Sequence, residues 1–265
     1  MRSRFLVTIL LLCLGIMLGR ATFLKQECHA APYKLLVFHL QQSVFKHDSM
    51  PQGIEMFNSM AIEKAFDLDV TEDPKVFTDA NLKQYDAIAF LLTQGDFFNE
   101  EQKLAFRNFI RSGKGFLGLH CADNSLNDWD WYHDMLGSTF KGDMWEENLP
   151  LIILDKNNPS TKDLPNPWIV SQQYRKNNWI FDENTSGFNV LIKVDPAFYE
   201  GHIGTESDDW SNQSFVPYVY THEYEGGRTW YGAMGHSEET FENSDMINLI
   251  AWGVDYAFGK FVTKE

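Results

Sequence analysis

The stretch Gly115-Phe116-Leu117-Gly118-Leu119-His120-Cys121-Ala122 (GFLGLHCA) decides the fold. Its first five residues are an unbroken apolar run and read as a fully buried strand. The run ends abruptly in an imidazole and a thiol. Parallel sheets are buried on both faces, and their chemistry gathers at the carboxyl ends of the strands. Gly118-Leu119-His120 places the histidine where a strand-to-helix turn of the G-x-S-x-G kind would expose a nucleophile. Cys121 comes one residue late and reads as small buried filler. A polar ring at the end of such a strand needs a partner, which makes His120 the functional candidate.

Outward from this strand the same grammar repeats. KLLVFHL (Lys34 to Leu40) and YDAIAFLL (Tyr85 to Leu92) are β-rich apolar runs, and Leu68 to Val70 is a shorter one. Pro51 to Phe66 reads as a helix with proline near its start, where a missing N–H costs little. Thr78 caps a short helix ending at Leu82 to Tyr85. Asn99 and Gln102 form a capping box, followed by one apolar stripe of Ala105, Phe106, Phe109 and Ile110. Strands alternating with helices predict βαβ units and a parallel sheet. The later half is richer in strands: Leu149 to Leu154, Phe188 to Val194, Phe215 to Tyr224 and Arg228 to Met234. A last helix runs from Ser244, read as its cap, to Tyr256. The expected fold is α/β, one doubly wound domain over residues 33–260, with a mainly parallel sheet and helices on both faces.

Composition narrows the function. The 265 residues carry a net charge of −15 and no basic stripe, so nucleic acid is not an expected partner. Aromatics make up 15%, with 8 Trp and 21 Phe, which suits either a heavily aromatic core or rings that stack on sugars. Arg2 and Arg4 precede the apolar run Phe5 to Leu18, which is short for a spanning helix. Residues 1–21 therefore read as a signal peptide, cleaved after Ala21 or as late as Ala30, or else as an uncleaved anchor. The protein is expected to be exported, to the periplasm or beyond. Two cysteines beyond that segment, Cys28 and Cys121, are too few for a disulfide-built scaffold.

Three histidines follow strands: His47 in the loop after the first, His120, and His236 after Arg228 to Met234. Imidazoles converging from separate strand ends serve as acid and base, or as a three-ligand zinc site. No H-E-x-x-H motif accompanies them, so zinc is a possibility with no ligand set assigned. In DWDWY, Asp128 could accept sugar hydroxyls while Trp129 and Trp131 stack on ring faces. The competing reading is an aromatic staple for the following helix. Asp123 is either a helix cap or an acid. Glu223 and Tyr174 complete the candidate substrate contacts.

Taken together, FKHDSMPQGIE (Phe45 to Glu55), VTEDPKVFTDANLKQYDAIAF (Val70 to Phe90), GKGFLGLHCADNSLNDWDWYHDMLGSTFKG (Gly113 to Gly142) and GRTWYGAMGHSEETF (Gly227 to Phe241) resemble the ThuA-like, or trehalose-utilisation, family. The resemblance spans about Lys34 to Trp252. It implies a class I glutamine-amidotransferase-like, flavodoxin-type fold, with histidine in place of the amidotransferase cysteine, so glutaminase activity is not expected. It also implies carbohydrate metabolism alongside oxidoreductases that make keto sugars. Cys121 stands where the family usually has Ala. Gln172 and Gln173 lie where it usually carries an acid. The expected activity is acid–base chemistry by His47, His120 and His236 on a sugar or keto-sugar. The alternatives are a carbohydrate-binding accessory module without turnover and a metal-dependent hydrolase.

Overall fold

The computed structural model describes residues 31–182, 184–198 and 215–261, with the backbone alone at 143–147 and 173–176. The leader read in residues 1–21 lies outside them. Among the described residues no helix is long and apolar enough to cross a membrane.

The parallel half of the sheet follows the sequence closely. Strands β1 (Lys34–Phe38), β2 (Asp67–Thr71), β3 (Ala87–Leu91) and β4 (Gly115–Leu119) alternate with helices α1 (Met50–Lys64), α2 (Asp79–Leu82) and α3 (Glu100–Arg111). Thr78 caps α2 by accepting from Asn81 N–H, and the reciprocal Asn99–Gln102 capping box opens α3. After β4 come a 3-10 turn, His120–Asn124, and helix α4 (Asp130–Leu136). Four more strands follow before β9 (Gly227–Gly232): β5 (Ser138–Ile153), β6 (Trp168–Trp179), β7 (Phe188–Val194) and β8 (Pro217–Tyr224). The chain then forms α5 (Glu239–Glu242) and α6 (Ser244–Ala257). The cap of α6 is Asn243, whose side chain accepts from the N–H groups of Asp245 and Met246. Ser244, expected as the cap, is already inside the helix.

All nine strands join in one sheet, ordered β2-β1-β3-β4-β9-β8-β7-β5-β6. Pairing is parallel from β2 to β9 and antiparallel from β9 to β6. The expectation of a mainly parallel sheet is therefore corrected to an evenly mixed one. The reason is connectivity: β8 and β9 join through the tight Glu225-Gly226 turn, and a hairpin can only be antiparallel.

The aromatic content serves the core. Phe38, Phe77, Phe90, Phe97, Phe98, Phe106 and Phe116 are buried and touch one another, mostly edge-on or tilted. Such contacts add to the burial of large apolar area. Trp230 is fully buried against Gly253 of α6, where any side chain would strike the indole. Arg228 donates to the carbonyls of Tyr256 and Ala257 at the end of the same helix. The neighbouring Gly227 faces Ile110 of α3 instead.

Gly115 has the tightest requirement, because a Cβ there would collide with the backbone carbonyl of Ala257. Neither backbone can yield without moving α6 off the sheet. Gly115→Ala is expected to lower stability by roughly 1–3 kcal/mol, the usual cost of overpacking, read as a lower urea midpoint at unchanged slope.

Candidate functional site

The carboxyl ends of β1, β3, β4 and β9 lie side by side, and the chain extends their pairing beyond the strands. Gln41 bridges to Gln94, and Gly95 to Ser125. Onto this edge the fold brings the three histidines. The ring centroids of His47 and His120 are 4.9 Å apart, those of His47 and His236 5.4 Å, and those of His120 and His236 5.5 Å. His120 is fully buried and His47 nearly so, whereas His236 is half-buried. The exposed ring of Phe45 stacks parallel to His236 and meets His47 edge-on.

Each histidine is held by an identifiable device. His120 has φ 51°, in the left-handed region that side chains rarely adopt. A sharp left-handed turn at a strand end is also how the G-x-S-x-G elbow presents its side chain. Its Nδ1 lies 2.9 Å from the carbonyl of Ala233. A carbonyl only accepts, so Nδ1 carries the proton and Nε2 the lone pair. Gly235, at φ 139°, lets the β9 loop pass close by, since a Cβ there would sit 3.0 Å from His120 Cβ.

His47 has the complementary tautomer. Gln41 Nε2 donates to the Leu92 carbonyl at 2.9 Å, and Gln41 Oε1 accepts from the His47 backbone N–H at 3.3 Å. These two bonds fix which way the amide faces. Its second N–H is then left for His47 Nδ1, at 3.1 Å. His47 therefore accepts at Nδ1 and donates from Nε2. That Nε2 lies 3.4 Å from Cys121 Sγ, which also accepts from Gln94 Nε2 at 3.1 Å.

His236 is positioned by its loop. Ser49 Oγ donates to the Gly235 carbonyl at 2.7 Å, tying the loop to the start of α1. Gln172 Nε2 donates to Ser237 Oγ at 3.0 Å, and Gln172 Oε1 accepts from Gly235 N–H at 3.4 Å. The amide that replaces the expected acid thus clamps the residues on either side of His236.

Asp123 is fully buried beneath this edge. It accepts from Asn177 Nδ2 at 2.6 Å and from the Tyr231 hydroxyl at 2.9 Å, and that hydroxyl also lies 2.9 Å from the His120 carbonyl. Burial, with a further push from the Asp123 carboxylate, raises the hydroxyls of Tyr132 and Tyr220 well above the usual tyrosine range. Asp123 accordingly supports the backbone at His120, as neither a helix cap nor a surface acid.

The remaining candidates whose side chains are described are engaged with other partners. Asp128 pairs with Lys103 of α3 at 2.9 Å. Trp129 and Trp131 stack on each other at 5.0 Å, with the Arg107 guanidinium against both rings. Trp131 Nε1 donates to Glu225 at 2.8 Å. Glu225 sits in the β8–β9 turn, at the amino edge of the sheet, and its carboxyl is held below the usual range chiefly by Arg111. The five-residue length of the strands, at about 3.3 Å per residue, divides the two edges. These side chains therefore form the aromatic staple on α3. Glu223 pairs in register with Arg228, at the same amino edge. His222, beside it, stacks on Phe188 and donates to Met135, and burial lowers its pKa. The side chain of Tyr174 lies outside the described residues.

Sequence reading missed Gln41 and Gln94, and noted Gln172 only as an amide in place of an acid. The signal was present for the first two, which follow apolar strands at the same edge as His120.

A ring nitrogen of His47, one of His120 and Cys121 Sγ all lie within 4.8 Å of one another, close enough for a shared metal ion. The tautomer of His47 does not fit one. Its Nε2 would have to lose the proton, Nδ1 would have to gain one, and that proton would face the Gln41 N–H. Turning the amide over would set Oε1 against the Leu92 carbonyl. The expected result is substoichiometric zinc by elemental analysis after preparation in zinc. Gln41→Ala, which frees the tautomer, should increase uptake at least several-fold. Stoichiometric zinc in the unmodified protein would overturn this assignment. Gln172→Leu should cost about 1–3 kcal/mol in urea unfolding, since it leaves the buried Gly235 N–H unsatisfied.

Among known proteins, the family model described as trehalose utilisation (ThuA) matches residues 34–257. No curated protein matches the chain. Among solved structures it is similar to a ThuA-like protein from Bacteroides uniformis, with TM-score 0.70 and 23% identity over 86% of this chain and 92% of that one. A ThuA-like protein from Parabacteroides merdae has TM-score 0.59 and 17% identity over 88% and 93%. A β-galactosidase from Bacillus circulans has TM-score 0.52 and 10% identity over 86% of this chain and 31% of that one. At these identities the likeness is one of fold.

Proposed function

Since the chain belongs to the trehalose-utilisation (ThuA) family, which ties it to carbohydrate metabolism, we propose that it acts on a sugar or keto-sugar by histidine acid–base chemistry. One observation carries the reading: His47 and His120 stand 4.9 Å apart in opposite tautomers. His120 offers a lone pair at Nε2, and His47 a proton at Nε2. A base and an acid of that kind, side by side and facing one substrate, can remove a proton from the carbon next to a carbonyl and protonate the oxygen. Isomerisation, elimination and hydrolysis of an oxidised glycoside all begin this way. His236, half-exposed beside Phe45, is the third member and the one nearest solvent. An aromatic face there suits the C–H side of a sugar ring.

The wider reading follows from the same proposal. A keto-sugar substrate calls for an oxidoreductase that makes it, and the basic, apolar N-terminus supports export. The strand order β2-β1-β3-β4-β9 is that of flavodoxin-type sheets, and α3 and α6 meet neighbouring residues of β9, 227 and 228, which face opposite ways. Both features support a doubly wound parallel half.

His120→Ala is expected to reduce turnover of a 3-keto-disaccharide by roughly 10²–10⁴-fold, the usual contribution of a general base. Unchanged turnover would remove His120 from the mechanism. The near-complete burial of His47 and His120 favours one second reading, an accessory module that binds sugar without turnover. Calorimetric binding with no product after long incubation would establish that reading instead.

A further inference from the structure

We propose that Cys121 is a nucleophile of this site, set to add reversibly to the carbonyl carbon of a small aldose or ketose. The proposal rests on the reading of the pocket as one for carbonyl sugars. Its warrant is the surroundings of the sulfur. Cys121 Sγ accepts from Gln94 Nε2 at 3.1 Å and faces His47 Nε2, a donor in the tautomer that Gln41 imposes, at 3.4 Å. Two N–H groups aimed at one sulfur favour the thiolate, which is the reactive form. A buried thiol that only filled space would need neither. The third neighbour is a base: His120 keeps its lone pair at Nε2 because Nδ1–H is spent on Ala233, and a ring nitrogen of His120 lies within 4.8 Å of the sulfur. Nucleophile, base and anion-stabilising donors are thus contiguous, the arrangement that activates a nucleophile elsewhere.

The step balances without a co-reactant. The thiol proton passes to His120 Nε2, Sγ forms a bond to the carbonyl carbon, and the C=O π bond breaks. His120 then returns the proton to the new oxygen. The product is a thiohemiacetal or thiohemiketal, and reversal releases the sugar unchanged. The adduct has no carbonyl to acidify the neighbouring C–H, so it holds the sugar in reserve and must reverse before the histidines can act on it. Phe45, exposed, and His236, half-buried, are the members of this ring cluster nearest solvent.

The test uses the full chain and dihydroxyacetone labelled with carbon-13 at C2, observed by NMR. The expected result is a protein-bound tetrahedral carbon signal that saturates with probe and vanishes in Cys121→Ser and Cys121→Ala, each checked for folding by circular dichroism. Persistence of the signal in folded variants, or its absence from the unmodified protein at saturating probe, would overturn the proposal. A parallel turnover assay separates the two readings. If His120→Ala loses 3-keto-disaccharide turnover while Cys121→Ser keeps it and no adduct forms, acid–base function stands and the covalent role fails. If the adduct forms with no turnover by any variant, the thiol role stands and the proposed activity fails.

Discussion

The site depends on the backbone at His120. Holding a residue with a side chain at φ 51° costs of order 1–3 kcal/mol, and it persists only because its surroundings leave no alternative. The Ala233 carbonyl accepts from the ring, the Tyr231 hydroxyl lies between the His120 carbonyl and the Asp123 carboxylate, and Gly235 presses against Cβ. Every one of these contacts comes from β9, its following loop or the turn itself. The parallel β4–β9 pairing, in register from Gly115 with Arg228 to Leu119 with Gly232, is what brings them there. The antiparallel half of the sheet contributes by a different route. It delivers Gln172 and Asn177 from β6 to the same edge, to hold the His236 loop and Asp123.

Much of this was legible in the sequence where local chemistry and long-range packing agree. The Asn99–Gln102 box, the Thr78 cap and the runs of β1, β3 and β4 each carry their own signal, and each formed as read. The amino half of β5 and the whole of β6 did not announce themselves. SQQYRKNN alternates no apolar residues, and its strand character comes from pairing with β5, a contact between residues distant in sequence. The three histidines were found because strand ends in a parallel sheet converge by topology. For DWDWY, adjacency to His120 in sequence suggested a sugar grip, and the contacts favour the staple that was its alternative. Helix α4 carries Trp131 back along the sheet to Glu225, and Glu223 shares that edge because its hairpin reverses direction.

Three glutamines, Gln41, Gln94 and Gln172, hold this edge, and only at Gln172 was an acid expected in the amide's place. A carboxylate beside His47 Nδ1 would accept a proton and leave Nε2 as a base or metal ligand. An amide whose oxygen is already committed can only donate, and so makes Nε2 the donor. The same replacement at Gln172 supplies a donor to Ser237 and an acceptor to Gly235 within one side chain. A buried amide carries no charge and so requires no counter-charge, which suits a cluster this deeply enclosed. The loss of an acid at this position is therefore compatible with the proposed proton chemistry, which assigns the acid and base roles to the histidines.

The residue one place past His120 then takes on a different meaning. A thiol that served only to pack would face apolar neighbours. Instead its sulfur faces one amide donor and one imidazole donor. The φ of 51° that points the His120 ring toward Ala233 also directs the chain into a 3-10 turn, which carries Cys121 to the same edge. Two reactive side chains in consecutive positions normally point apart, as they do in a strand. Here the left-handed residue between strand and turn brings both to one place, so one backbone conformation sets the histidine and the thiol side by side.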